Sequence, residues 1–168
     1  MAETIELYLI RHGLAAARGD QFPDDGKRPL THKGIVRLRR EARALEALGV
    51  VFDQVVTSPL VRTRQTAEIF ADGAGSTAPI ALADALAPGG TTAQAIEELG
   101  KYSRQRRIAI VGHEPTIGEL AAKLIGARAA LEFKKGAICR IDVETLPPAR
   151  PGHLRWFATP KMLRLLRK

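Results

Sequence analysis

Three short stretches of this sequence carry side chains that suit phosphate chemistry: Arg11-His12-Gly13, Thr57-Ser58-Pro59 with Arg62 just beyond, and Gly112-His113-Glu114-Pro115. A lone histidine or arginine at any of these places would read as structural or solvated; it is their joint placement, each directly after a strand-like run, that carries weight. A guanidinium is always charged and presents its donors as a planar fork. Arg11 and Arg62 therefore suit the equatorial oxygens of a phosphoryl group and the charge that shifts over them in the transition state. Neighbouring positive charge lowers an imidazole's pKa and favours its neutral, nucleophilic form, so His12 could attack phosphorus in line and hold the phosphoryl group until water removes it. Guanidinium and imidazolium groups can supply the charge that magnesium supplies elsewhere, and neither a metal nor another cofactor is expected. Gly13 and Gly112 leave space for a ligand to approach the backbone, and helices opening after Ser58 and Glu114 would turn positive N-terminal dipoles towards it.

Strands alternating with helices must bring these residues together. Ile5 to Ile10 is a β-rich run closed by Gly13, and Pro23 to Pro29 reads as a polar loop. Thr31 reads as the N-cap of a helix whose apolar positions Ile35, Leu38, Ala42, Leu45 and Leu48 recur at helical spacing until Gly49. Phe52 to Val56 is a second strand, and Ser58 is expected to cap a helix with Pro59 at its first position, running to Ala71. Pro79 to Leu82 reads as a short strand, Thr91 to Leu99 as a helix, and Ile108 to Val111 as a strand buried on both faces of a parallel sheet, after which Pro115 opens a helix to Ile125. Ala137 to Val143 and His153 to Phe157 read as a hairpin-like antiparallel pair, and Pro160 to Leu166 as a short basic helix. The fold expected is an α/β three-layer sandwich: a mostly parallel central sheet, helices on both faces, and an antiparallel C-terminal strand pair. Ligands in such sheets bind beyond the carboxyl ends of the strands.

The chain has 168 residues, which favours a single domain over 1–168. One cysteine, Cys139, excludes an internal disulfide framework and a multi-cysteine zinc site, and its place in a strand reads as a small buried residue. The apolar run Leu7 to Ile10 stops at Arg11, far short of a signal segment or a membrane span, so a cytoplasmic protein with no membrane partner is expected. Residues 1–100 hold 11 basic and 13 acidic side chains, whereas 101–168 hold 15 and 5, so the C-terminal part should attract anions. Nucleic acid is not expected, because aromatic residues are only 5% of the chain and are not interleaved with the basic ones.

Leu9-Ile10-Arg11-His12-Gly13, the run Thr57-Ser58-Pro59-Leu60-Val61-Arg62-Thr63-Arg64-Gln65-Thr66-Ala67, and Val111-Gly112-His113 resemble the three signatures of the histidine phosphatase superfamily, which has the phosphoglycerate-mutase-like fold. Leu30-Thr31 with Gly34 is similar to the start of its first helix, and the resemblance covers residues 5–160. It implies that His12 is the phosphorylated nucleophile and that Arg11, Arg62 and His113 complete the phosphate pocket. Arg64 also belongs to the motif but faces elsewhere on the helix. Only about 50 residues separate Arg62 from His113, leaving no long insertion to roof the pocket. In this the chain is most similar to the small SixA-type phosphohistidine phosphatases, whose open pocket would admit a protein side chain.

Many members of the family use a glutamate after the third strand to protonate the leaving alkoxide. Here that segment runs from Leu82 to Gly90, and Asp84 is its only carboxylate; Glu114 is the rival candidate, although it could instead serve a helix N-terminus. Weak acid machinery favours P–N over P–O substrates, because imidazole can leave as a stable neutral group whereas an alkoxide must be protonated. Asp20, Asp24 and Asp25 are expected to face solvent, as are His32 and His153, and the histidine spacing contains no metal motif. Adjacent Trp156 and Phe157 should point to opposite faces of a strand, with one of them in the core. The leading expectation is a phosphatase acting on protein phosphohistidine. The alternatives are a phosphatase of a small phosphate ester or nucleotide-like compound, and a non-catalytic phosphate-binding module that docks acidic partners.

Overall fold

The computed structural model describes residues 3–166. One six-stranded sheet runs through the middle, built from β1 (Ile5–Arg11), β2 (Gln54–Thr57), β3 (Ile80–Leu82), β4 (Arg107–Gly112), β5 (Ile138–Val143) and β6 (His153–Ala158) in the spatial order β3-β2-β4-β1-β5-β6. The first four positions in that order are parallel; β5 is antiparallel to β1, and β6 to β5. Five helices complete the fold: α1 (His32–Ala47), α2 (Val61–Gly73), α3 (Thr92–Gly100), α4 (Thr116–Ile125) and α5 (Pro160–Leu166). The α/β three-layer sandwich expected from the sequence, with its antiparallel C-terminal strand pair, is the fold observed.

Alternation along β1 decides the layers. Leu7 and Leu9 point to one face, where Ile117, Leu120 and Leu124 of α4 and Ala95 and Leu99 of α3 cover them. Tyr8 and Ile10 point to the other, against Leu38 and Leu45 of α1, Phe70 of α2 and Leu163 of α5. β1 and β4 are buried on both sides, which is why both read as nearly continuous apolar runs. Trp156 and Phe157 pack against opposite clusters, so both reach a core rather than one. Cys139 is buried, and burial pushes its thiol up to about 12.

The caps explain where the first and third helices begin. Thr31 Oγ1 accepts from Gly34 N at 2.9 Å, and Thr91 with Gln94 forms a reciprocal capping box. The start of α2 differs from the sequence expectation: Ser58 does not cap it, and the helix begins at Val61, after an N-cap residue, Leu60, that offers no side-chain bond. Ser58 is instead drawn to His113. Leu48 also departs from the expected apolar stripe; it ends α1 exposed to solvent. Part of the basic C-terminal charge is held in ion pairs, Arg140 and Arg155 with Asp142, Arg150 with Glu144, and Arg164 with Glu41. No helix among the described residues is long and apolar enough to cross a membrane.

Candidate active site

The carboxyl ends of β2, β4 and β1 lie side by side, and the register sets Arg11 beside Gly112 and Thr57 beside Val111. The residues just past these ends are therefore forced together. His12 N donates to Gly112 O at 3.1 Å and Ser58 N to Val111 O at 3.1 Å, so the chain leaves all three strands in the same direction. Arg62 arrives from the first turn of α2, which Thr66 ties to the loop after β1: Thr66 Oγ1 donates to Arg62 O and accepts from Gly13 N. Arg11, His12, Arg62 and His113 line one cleft of about 500 Å³.

His12 is 7% exposed and its ring centroid lies 5.2 Å from that of His113. Its Nδ1 is 2.7 Å from Gly13 O. A carbonyl can only accept, so Nδ1 carries the proton and Nε2 keeps its lone pair. Burial is the larger cause that brings His12 down to about 4; the bond to Gly13 opposes it, and the charges of Arg62, Arg11 and Lys135 add to it. Positive charge, the cause expected from the sequence, is thus the secondary one. His113 is brought down to about 3, again by burial first and then by His12 and Arg62, and its Nε2 lies 2.8 Å from Ser58 Oγ. Both imidazoles are neutral at physiological pH.

The arginines are held from behind. Arg11 donates through Nη1 to Phe133 O at 2.7 Å. Arg62, only 2% exposed, donates from Nη1 to Asp25 O at 2.9 Å and from Nη2 to Asp25 Oδ2 at 3.0 Å. The Nε atoms of both arginines are buried without a hydrogen-bond partner among the described residues, a costly state for a charged donor. Asp25, expected to face solvent, instead joins Arg62 to Arg28, whose Nε donates to Asp25 Oδ1 at 2.9 Å. Partial burial alone would raise the Asp25 carboxyl, but the hydrogen bonds from Arg28 and Arg62 outweigh it and hold it below the usual range.

Of the two carboxylates weighed as acids, the structure brings only Glu114 to the cleft. Asp84 is exposed and lines a separate hollow with Gln94 and Lys101. Glu114 also accepts from Gly118 N at 3.0 Å in the first turn of α4, so it serves the helix terminus as well. Burial raises its carboxyl above the usual range, against the opposing effect of Arg11. Arg64, His32 and His153 are exposed. Gly13 has a packing reason rather than a ligand-approach one: a Cβ there would meet Leu38 Cδ1 at 2.4 Å. At Gly112 a Cβ would make only ordinary contacts.

Four residues of this site were not singled out from the sequence: Ser58 as a partner of His113, Asp25 as the anchor of Arg62, and Arg28 and Lys135 on the wall. Only the Asp25–Arg28 pair carried a local signal, a carboxylate three residues before an arginine.

The model of the histidine phosphatase superfamily (branch 1) matches residues 7–87, which hold Arg11, His12 and Arg62. An uncharacterized protein of Picosynechococcus sp. is 38% identical over 138 residues, covering 80% of this chain and 82% of the relative. The chain belongs to the histidine phosphatase superfamily. Among solved structures, the protein histidine phosphatase SixA complexed with tungstate superposes with a TM-score of 0.83 at 24% identity, covering 94% of this chain and 98% of that one. The α-ribazole phosphatase from Shigella flexneri superposes at 0.72 with 20% identity, covering 93% and 97%. At those identities the two structures speak for the fold of this superfamily member.

Proposed function

We propose that the protein is a metal-independent phosphatase that removes phosphoryl groups from protein phosphohistidine. The observation that carries this reading is the His12 Nδ1 bond to Gly13 O, which leaves a neutral Nε2 lone pair on a buried ring in the cleft that Arg11 and Arg62 also line. In the first step, on a substrate imidazole protonated at its other ring nitrogen, the Nε2 lone pair forms a bond to phosphorus while the bond from phosphorus to that imidazole breaks; the electron pair stays on the leaving nitrogen, the imidazole departs neutral, and His12, keeping its Nδ1 proton, takes up the positive charge. Transfer between two imidazoles is close to balanced in energy, so it asks little of a general acid. Arg11, Arg62 and His113 surround the three equatorial oxygens and compensate their charge throughout. Water then attacks phosphorus, phosphate leaves, and His12 regains its lone pair.

The cleft supports a bulky substrate. The chain from Arg62 to His113 is used by α2, β3, α3 and β4, and from it only Arg62, Pro88 and His113 line the cleft. Arg18, 81% exposed though 3.5 Å from Asp25, and the exposed Lys135 also line the cleft, so an acidic protein surface would meet positive charge. The fold similarity to SixA is in keeping with this substrate. A small phosphate ester is the second reading, favoured by Glu114: it lines the cleft, and burial raises its carboxyl above the usual range, the direction that suits a general acid for an alkoxide.

The test is a metal-free panel comparing a phosphohistidine protein, a phosphoserine peptide and small alkyl phosphates. Phosphohistidine should be hydrolysed fastest, with acid-labile, base-stable label on the wild type that vanishes in His12→Ala. Preference for alkyl phosphates would move the second reading ahead. Full labelling in His12→Ala would remove His12 as the nucleophile.

A further inference from the structure

Glu41 is a buried carboxylate of α1 that phosphoryl transfer at His12 does not use. It is only 1% exposed, and its Oε1 accepts from Arg164 Nη1 of α5 at 2.6 Å. Its Oε2 has no hydrogen-bond partner among the described residues and is packed against Gly136, where a Cβ would meet that oxygen at 2.5 Å and Leu38 Cδ2 at 3.3 Å. Gly136 has a φ of +91°, so both its backbone and its surroundings call for a residue without a side chain. Burial lifts the Glu41 carboxyl to about 7 in spite of Arg164, so the folded chain loses stability as pH rises from 4.5 through 7, and the carboxylate is no net stabiliser.

The segment that Glu41 touches is the one that grips Arg11. Gly136 N donates to Arg11 O at 3.0 Å, Arg11 N donates to Ala137 O at 3.1 Å, and Arg11 Nη1 donates to Phe133 O at 2.7 Å. Backbone and guanidinium of Arg11 are thus both fixed by residues 133–137. Phe133 is sunk in the core beneath α3 and α4, Lys134 and Lys135 are exposed, and Gly136 is where the segment rests on Glu41 and Leu38 of α1. We propose that Glu41 is a positioning residue for Arg11: braced by Arg164, it backs Gly136 and holds residues 133–137 so that the guanidinium stays at the cleft. This rests on the reading that Arg11 binds the transferred phosphoryl group, and it connects α5 to that arginine through two side chains.

Glu41→Ala removes the brace, and two readouts on the full chain separate positioning from a general loss of stability. Amide hydrogen exchange at Arg11 and Gly136 should quicken by roughly tenfold or more beyond any change at Val55 and Ile110 in the middle of the sheet, since local loosening opens one segment whereas global destabilisation acts on all. Turnover of the phosphohistidine protein should fall roughly tenfold or more in kcat with little change in KM, as a misplaced transition-state partner requires. Glu41→Gln keeps the shape and still accepts from Arg164, so it should restore both readouts to near wild type. Arg164→Ala leaves Glu41 in place without its brace and should quicken the same two amides; should Glu41→Ala not fold, this variant carries the test by both readouts. Equal quickening at all four amides, wild-type exchange at Arg11 and Gly136, unchanged kcat, or a Glu41→Gln chain as impaired as Glu41→Ala would each overturn the role given to Glu41. A wild type without phosphatase activity would defeat the proposed function instead, and the exchange pattern would still decide whether Glu41 braces Arg11.

Discussion

Acid should leave the two buried imidazoles neutral long after a solvated histidine has become charged. An imidazole in water titrates near 6.5, so about a quarter would be protonated at pH 7. With His12 at about 4, only about one molecule in a thousand carries that proton, and Nε2 is available in the rest. The same displacement affects stability. The unfolded chain takes up its protons near 6.5 while the folded chain resists until about 4, so between those values the unfolded state binds more protons and stability falls with falling pH. For His12 the full loss is about 3 kcal/mol once pH has dropped through 4, and it is absent above about pH 7.5. His113, lower still, adds a loss of the same sign. Proton NMR of the imidazole Cε1–H signals should show two of the four histidines unmoved down to about pH 5, assigned by His12→Gln and His113→Gln. Urea midpoints should fall over the same range. Because burial outweighs neighbouring charge, Lys135→Met should raise His12 only slightly. A His12 signal inflecting near 6.5 would refute the argument that burial creates the nucleophile.

Arg62→Lys keeps the charge but loses the fork that grips the Asp25 carbonyl and carboxylate, and kcat/KM should fall by roughly 10²–10³-fold, as for loss of one transition-state donor. Unchanged kinetics in a folded variant would take Arg62 out of the site. Ser58→Ala removes the 2.8 Å partner of His113 and should lower stability by about 1 kcal/mol and turnover by a few-fold, read by urea melts and single-turnover kinetics. A full-rate variant would show that Ser58 does not position His113. Glu114→Gln should barely slow phosphohistidine hydrolysis but should slow an alkyl phosphate by roughly 10²–10⁴-fold. Equal loss on both substrates would defeat the leaving-group argument.

Much of this protein is written locally. Strand–helix alternation, the Thr31 and Thr91 caps and the continuous apolar runs of β1 and β4 depend on residues close in sequence, so the elements and the layer order could be read directly. The candidate quartet was legible for a related reason: a parallel sheet must place successive strand ends at one edge; Arg11 ends one strand, His12 and His113 directly follow such ends, and Arg62 follows Thr57 within the first turn of a helix. Pairings across long sequence separations were not legible. Ser58 reads as a helix cap until His113, 55 residues away, takes its hydroxyl. Asp25 reads as a loop carboxylate until Arg62, 37 residues away, is buried against it. By sequence position Asp84 was the one carboxylate in the expected acid segment and Glu114 its rival, and the path of the loop after β3 put Asp84 outside the cleft. Sequence determined which groups were available and which faces were apolar. Only tertiary packing decided which of them lost their water, and that desolvation, more than any neighbouring charge, makes His12 a neutral base.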